Sequence, residues 1–206
     1  MSVAREVALS ARPFLRSRLG LCVALALLLA ATLTAAASGP PETLREEGAC
    51  PFECCTYGEW TVLADTPLRA APDETAKFVA RARRGTKVDG LTGIVVVTRP
   101  GEIEVLRDYT SADSGHTYRR GDRVRVYTER GEGFFRVWHD GESYDEEAAF
   151  LYQDRGGWAS CVDAGTCWGR RVSFPESIWW VQVRTKEGAV GWTRRHENFG
   201  DMDACG

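Results

Sequence analysis

Histidine is scarce in this chain, with three residues in 206, too few for a histidine-rich metal site. Positive charge is not in excess either. Lysine and arginine number 26 against 29 acidic residues, so the balance gives no reason to expect a nucleic-acid partner. No Cys-x-x-Cys pair occurs, and the adjacent Cys54 and Cys55 suit tetrahedral zinc poorly. No metal or cofactor is therefore expected. Gly-x-Ser-x-Gly, His-Glu-x-x-His and phosphate-loop motifs are absent. His139-Asp140 stands at a strand end, and His116 and His196 fall in polar loops. A Cys–His hydrolase would need a reduced, activated thiol, and the cysteines have a better use. Asp145, Glu146 and Glu147 fit a solvated helix start rather than an acid/base pair. The expectation is a protein that is not an enzyme.

What is present begins with a targeting pattern. Arg5, Arg12, Arg16 and Arg18 precede an uncharged stretch from Leu19 to Ala37 that ends in small residues. A basic start, an apolar centre and a small-residue end are the parts of a secretory signal peptide, here 1–37. The strongly apolar part, Leu21–Leu29, is short for a membrane span, which needs about 20 apolar residues. Cys22 is followed by the apolar centre instead of ending it, which disfavours a lipoprotein. After cleavage, four Arg and one Glu leave the totals of 26 and 29, giving 22 basic and 28 acidic residues and a net charge of −6. The expected product is exported, periplasmic or secreted, with no stable membrane span.

Cysteine usage agrees. Cys50, Cys54, Cys55, Cys161, Cys167 and Cys205 remain, an even set that reads as disulfides in an exported chain. Cys161 and Cys167 bracket a short Gly-containing loop and form the expected local pair. Cys205 needs a distant partner, and a bridge to Cys54 or Cys55 would tie the two ends of the fold together.

Residues 38–56 are a Pro- and Glu-rich leader with a cysteine cluster, and 38–49 look disordered. Beyond Trp60, short runs of Val, Thr, Trp and Phe alternate with Gly, Asp and Pro. The predicted strands are 61–64, 78–82, 87–91, 94–98, 102–106, 123–128, 133–138, 178–184 and 189–193. Turn signals include Pro100-Gly101, Asp140-Gly141 and Glu187-Gly188. Ser143 to Glu146 has capping-box spacing and predicts one short helix through Tyr152. Residues 154–177 lack periodicity and predict a long disulfide-tied loop. The class is all-β, a small barrel or sandwich.

Thr66-Pro-Leu-Arg-Ala-Ala-Pro72 followed by Gly85-Thr-Lys-Val-Asp-Gly-Leu91 resembles the first half of a bacterial SH3 (SH3b) domain. Trp180-Val-Gln-Val183 followed by Gly188-Ala-Val-Gly-Trp192 resembles the second half. Between them, Gly121-Asp-Arg-Val-Arg-Val-Tyr127 and Gly133-Phe-Phe-Arg-Val-Trp-His-Asp-Gly141 repeat the same phrase. The resemblance implies two small SH3-like barrels. Nested, 57–98 plus 178–200 would form an outer barrel around an inserted unit at 99–177. In tandem, the units would be roughly 57–110 and 111–200. By strand periodicity, Trp180, Gln182 and Arg184 share one face, as do Phe134, Arg136 and Trp138. These six are the candidate ligand-binding residues, one aromatic–polar row per unit. The family resemblance implies peptidoglycan peptides as ligand. The other class of partner is an envelope or secreted protein, with no wall affinity.

Overall fold

The computed structural model describes residues 39–152 and 167–205. The expected signal peptide, 1–37, and Cys161 lie outside the described residues. The first five strands are β1 (Leu44–Glu47), β2 (Glu59–Val62), β3 (Thr66–Arg69), β4 (Phe78–Ala82) and β5 (Lys87–Arg99). Seven follow: β6 (Gly101–Val105), β7 (Tyr109–Thr110), β8 (Thr117–Tyr118), β9 (Arg123–Gly131), β10 (Phe134–His139), β11 (Glu142–Glu147) and β12 (Gly169–Ser173). The last three are β13 (Glu176–Thr185), β14 (Val190–Thr193) and β15 (Phe199–Gly200). Short 3-10 turns occupy Ala149–Tyr152 and His196–Asn198. Among the described residues no helix is long and apolar enough to cross a membrane.

The strands sort into two main sheets, and the sorting does not follow chain order. A curled eight-stranded sheet runs β15-β2-β5-β13-β14-β3-β4, with β1 also against β5. A five-stranded sheet runs β11-β10-β9-β6-β12. The first sheet thus combines segments from both ends of the described chain, and the second is made of the segment between them. β5 and β13 form the seam, antiparallel from Glu176↔Arg99 to Thr185↔Val88. β6 and β12, which leave and re-enter that seam, pair with each other.

Each sheet buries one alternating face. On β6, Gly101, Ile103 and Val105 are buried and the two Glu between them are not. Ile103, Val124, Phe135 and Val137 centre one core; Trp60, Val62, Leu68, Val97 and Val181 centre the other. Tyr127 of β9 and Trp138 of β10 pack into the second core, so the five-stranded sheet supplies side chains to its neighbour. The Tyr127 hydroxyl donates to the Pro41 carbonyl at 2.8 Å.

Four local expectations need correction. Leu44–Glu47, within the segment expected to be disordered, forms β1. The reason lies in β5: β2 pairs only with its residues 87–89, and β1 completes that edge at 94–97. The predicted strands 87–91 and 94–98 are one continuous strand. The glycines that suggest a break there make room for large rings. A Cβ on Gly90 would sit 2.5 Å from the Trp60 ring, and one on Gly93 would strike Trp179 and Tyr57. The capping-box helix is also absent, because Glu142–Glu147 is strand β11 and only Ala149–Tyr152 turns. Ser143 Oγ donates across the sheet to the Val137 carbonyl instead of capping, and Glu146 has buried partners of its own. The hairpin into β11 turns at Asp140 and Gly141, both with positive φ, as a tight two-residue turn requires. Part of the expected loop 154–177 is also strand, as β12 and the start of β13.

Two disulfides interlock beside β1. Cys50 pairs with Cys55, and Cys54 with Cys205. Cys167 is disulfide-bonded as well; Cys161, its expected partner, lies outside the described residues. The Cys54–Cys205 bridge spans 151 residues. A loop that long lowers the entropy of the unfolded chain by the equivalent of about 5 kcal/mol in the chain-entropy model. We predict that Cys205→Ser lowers the unfolding free energy by about 2–5 kcal/mol in urea denaturation. An unchanged midpoint would contradict a stabilising role.

Candidate functional site

β13 presents two rows. Trp179, Val181 and Val183 face the core. Trp180, Gln182 and Arg184 lie on the opposite face, and the sheet register extends that row. Gln182 stands opposite Trp192 of β14, and Trp192 opposite Arg69 of β3. Pro67, two residues before Arg69, is on the same side of its strand. Trp180, Trp192, Pro67, Arg69, Glu74, Arg194 and Arg195 line one small cleft.

Its charges are arranged around a single carboxylate. Arg69 Nε lies 3.2 Å from Glu74 Oε2, and Arg194 pairs with the other Glu74 oxygen. Arg69 also donates to the Ala76 carbonyl at 2.9 Å, which holds the β3–β4 loop over the strand. Arg195 makes no ion pair among the described residues. Trp180 is only 6% exposed, so the half-buried Trp192 offers the larger aromatic surface. Arg184 is exposed and 3.8 Å from Asp89, an ion pair that water and salt weaken.

The second predicted row divides. Arg136 is 2.9 Å from Asp145 across the β10–β11 pair. Trp138 packs against the core that Trp179 belongs to. Phe134 lines a groove that shares no residue with the Trp180 cleft. The six predicted residues are therefore not assembled into one site. Trp192 and Arg69 are the residues that strand-by-strand reading missed. Counting outward from the Lys186–Gly188 turn would have placed Trp192 opposite Gln182, since Gly188 has φ 88° and closes a three-residue hairpin.

A second polar cluster lies in the five-stranded half. The Glu146 side chain is fully buried. Ser111 Oγ donates to its Oε1 at 2.7 Å, while Ser114 Oγ and the Tyr118 hydroxyl donate to Oε2 at 2.6 Å each. These bonds tie the β7–β8 hairpin to β11. Burial, reinforced by Glu146, pushes the Tyr118 hydroxyl far above its ordinary value. Burial pushes Tyr144 up to about 12. Both phenols therefore stay neutral near pH 7 and can only act as hydroxyls. His116 stacks on Tyr144 with ring centroids 3.5 Å apart. His139 is 3.1 Å from Asp122. Neither His contacts the Glu146 carboxylate through a hydrogen bond, so the cluster has the wiring of a structural clamp. Tyr118→Phe removes one donor to a buried carboxylate and should cost about 1–3 kcal/mol of stability by denaturant titration.

His196 lies in the turn after β14, with its ring centroid 4.9 Å from that of Trp179. Burial lowers its pKa below the ordinary imidazole value, with Glu197 opposing. The unfolded chain then binds a proton more readily than the native one below about pH 6.5. Stability should therefore fall as pH drops from about 7 towards the native pKa. His196→Gln should flatten that part of the curve; a wild-type curve already flat there would contradict the burial effect. No protein-family model, no curated protein and no solved structure matches the chain.

Proposed function

We propose that this is an exported, non-enzymatic binding protein built on two SH3b-like barrels, one nested in the other, that binds carboxylate-bearing cell-wall peptides at the Trp180–Trp192 cleft. The observation that carries the proposal is the row Gln182–Trp192–Arg69 with Trp180 and Pro67 beside it. Flat aromatic surface next to Arg195, the cleft guanidinium that has no ion pair among the described residues, suits an extended peptide with a carboxylate, because arginine binds a carboxylate through two parallel hydrogen bonds. The cleft is too small to enclose a ligand, so recognition would be along a surface. Nesting draws support from the strand order, in which β5 and β13 share a sheet while the strands between them pair among themselves. Export draws support from the disulfides, which persist in oxidising compartments.

The test is cosedimentation of the oxidised protein with purified peptidoglycan sacculi. Wild type should bind saturably. Trp192→Ala should weaken binding at least about tenfold, the loss expected for one aromatic anchor, with its melting temperature measured alongside. Absence of wild-type binding would discard the wall ligand, and crosslinking in intact cells would then look for a protein partner.

A further inference from the structure

A wider groove than that cleft lies elsewhere in the described chain. A groove of about 550 Å³ opens between the Cys50–Cys55 loop and the β9–β10 turn. Phe52 and Phe134 supply its aromatic lining. Its charged lining is five carboxylates, Glu46, Glu53, Glu129, Glu132 and Asp145, against one guanidinium, Arg130.

Arg130 is already committed. It grips Glu46 through both terminal nitrogens, at 2.6 and 3.1 Å, and Asp145 through Nε at 3.3 Å. Glu53, Glu129 and Glu132 have no ion pair among the described residues. The groove wall thus carries uncompensated negative charge. A second, independent feature sits in the same wall. Thr128 is 6% exposed, and its hydroxyl is buried without a hydrogen-bond partner. A buried hydroxyl left unbonded costs stability, and a ligand donor would satisfy it.

The arrangement discriminates between kinds of cation. Among the described residues, the groove acids do not bring three oxygens within metal-ligating distance of one another. A small metal ion would find no cage there. An ammonium on an organic stem needs none. It can spread its charge over separated carboxylates, donate to a hydroxyl, and lie against an aromatic face. The volume falls within the range of about 300–1,000 Å³ usual for small-ligand sites.

We infer that the Phe52–Phe134 groove is a second binding site, for a ligand bearing a primary ammonium group on a short aliphatic stem, read by Glu129, Glu132 and the Thr128 hydroxyl. It is independent of the Trp180–Trp192 cleft. A lysine side chain in a peptide and a free diamine present the same chemistry.

Calorimetric titration of the oxidised protein tests this, with Nα-acetyl-lysine methylamide, its Nε-acetylated form and 1,5-diaminopentane as probes. The lysine amide should bind saturably, and acetylating its ammonium should weaken binding at least tenfold. The E129Q/E132Q double variant should weaken it at least tenfold, and the isosteric T128V severalfold. Trp192→Ala should leave it unchanged, which separates this site from the wall-peptide cleft. Tighter binding of the diamine than of the lysine amide would assign a free amine as ligand; the reverse order would assign a peptide side chain. No saturable binding of either amine, or equal affinity in wild type, E129Q/E132Q and T128V, would overturn the inference.

Discussion

The pairing of β5 with β13 is the constraint on which the remaining architecture depends. These are the two longest strands, of 13 and 10 residues, and their register holds ten aligned pairs. The chain leaves the ladder after Arg99 and re-enters it at Glu176, both at one end, and the described strands between them pair outside it. The five-stranded sheet can therefore form without disturbing the order of its neighbour. β1, β2 and β14 then complete the edges that the seam leaves open. The Cys54–Cys205 bridge closes a wider loop that encloses the one from Arg99 to Glu176. Such non-local pairing has a high loop-closure cost during folding. The long bridge offsets part of it by restricting the unfolded chain.

The seam also determines the surfaces available for binding. Its inward side takes Trp179, Val181 and Val183 into a core with Trp60 and Val97. Its outward side aligns Trp180 and Gln182 with Trp192 and Arg69 on neighbouring strands. The acidic groove arises at a different junction, where β1 and the disulfide loop meet the β9–β10 turn. Gly133 shapes that turn: its φ is 83°, and a Cβ would lie 2.8 Å from the Ala149 side chain. Both surfaces are products of long-range contacts rather than of one continuous segment.

That explains what could be read from the chain alone. The all-β class was legible because alternating Val, Phe and Trp runs stand between turn residues. β4, Phe78–Ala82, matches its sequence-derived span, and β10 and β14 come within one residue at each end. β1 was not legible, since Leu-Arg-Glu-Glu has one apolar residue and becomes a strand only because β5 offers it an edge. β11 was misread because Ser143 to Glu146 satisfies a local helix rule while Glu146 is claimed by Ser111, Ser114 and Tyr118 from distant turns. Gly90 and Gly93 suggest a break, but their role is to admit Trp60 and Trp179. For the site, Trp180 and Gln182 came from strand periodicity. Trp192 and Arg69 required cross-strand register, Arg195 required the turn after β14, and the Thr128 hydroxyl required knowledge of burial.

If the β5–β13 seam holds the molecule together, native-state amide hydrogen exchange will register it. Amides in the middle of the seam, around Val95–Val97 and Trp179–Val183, should exchange only through global unfolding and be the slowest in the molecule. Fast local exchange there, with the slowest amides confined to β9 and β10, would contradict it.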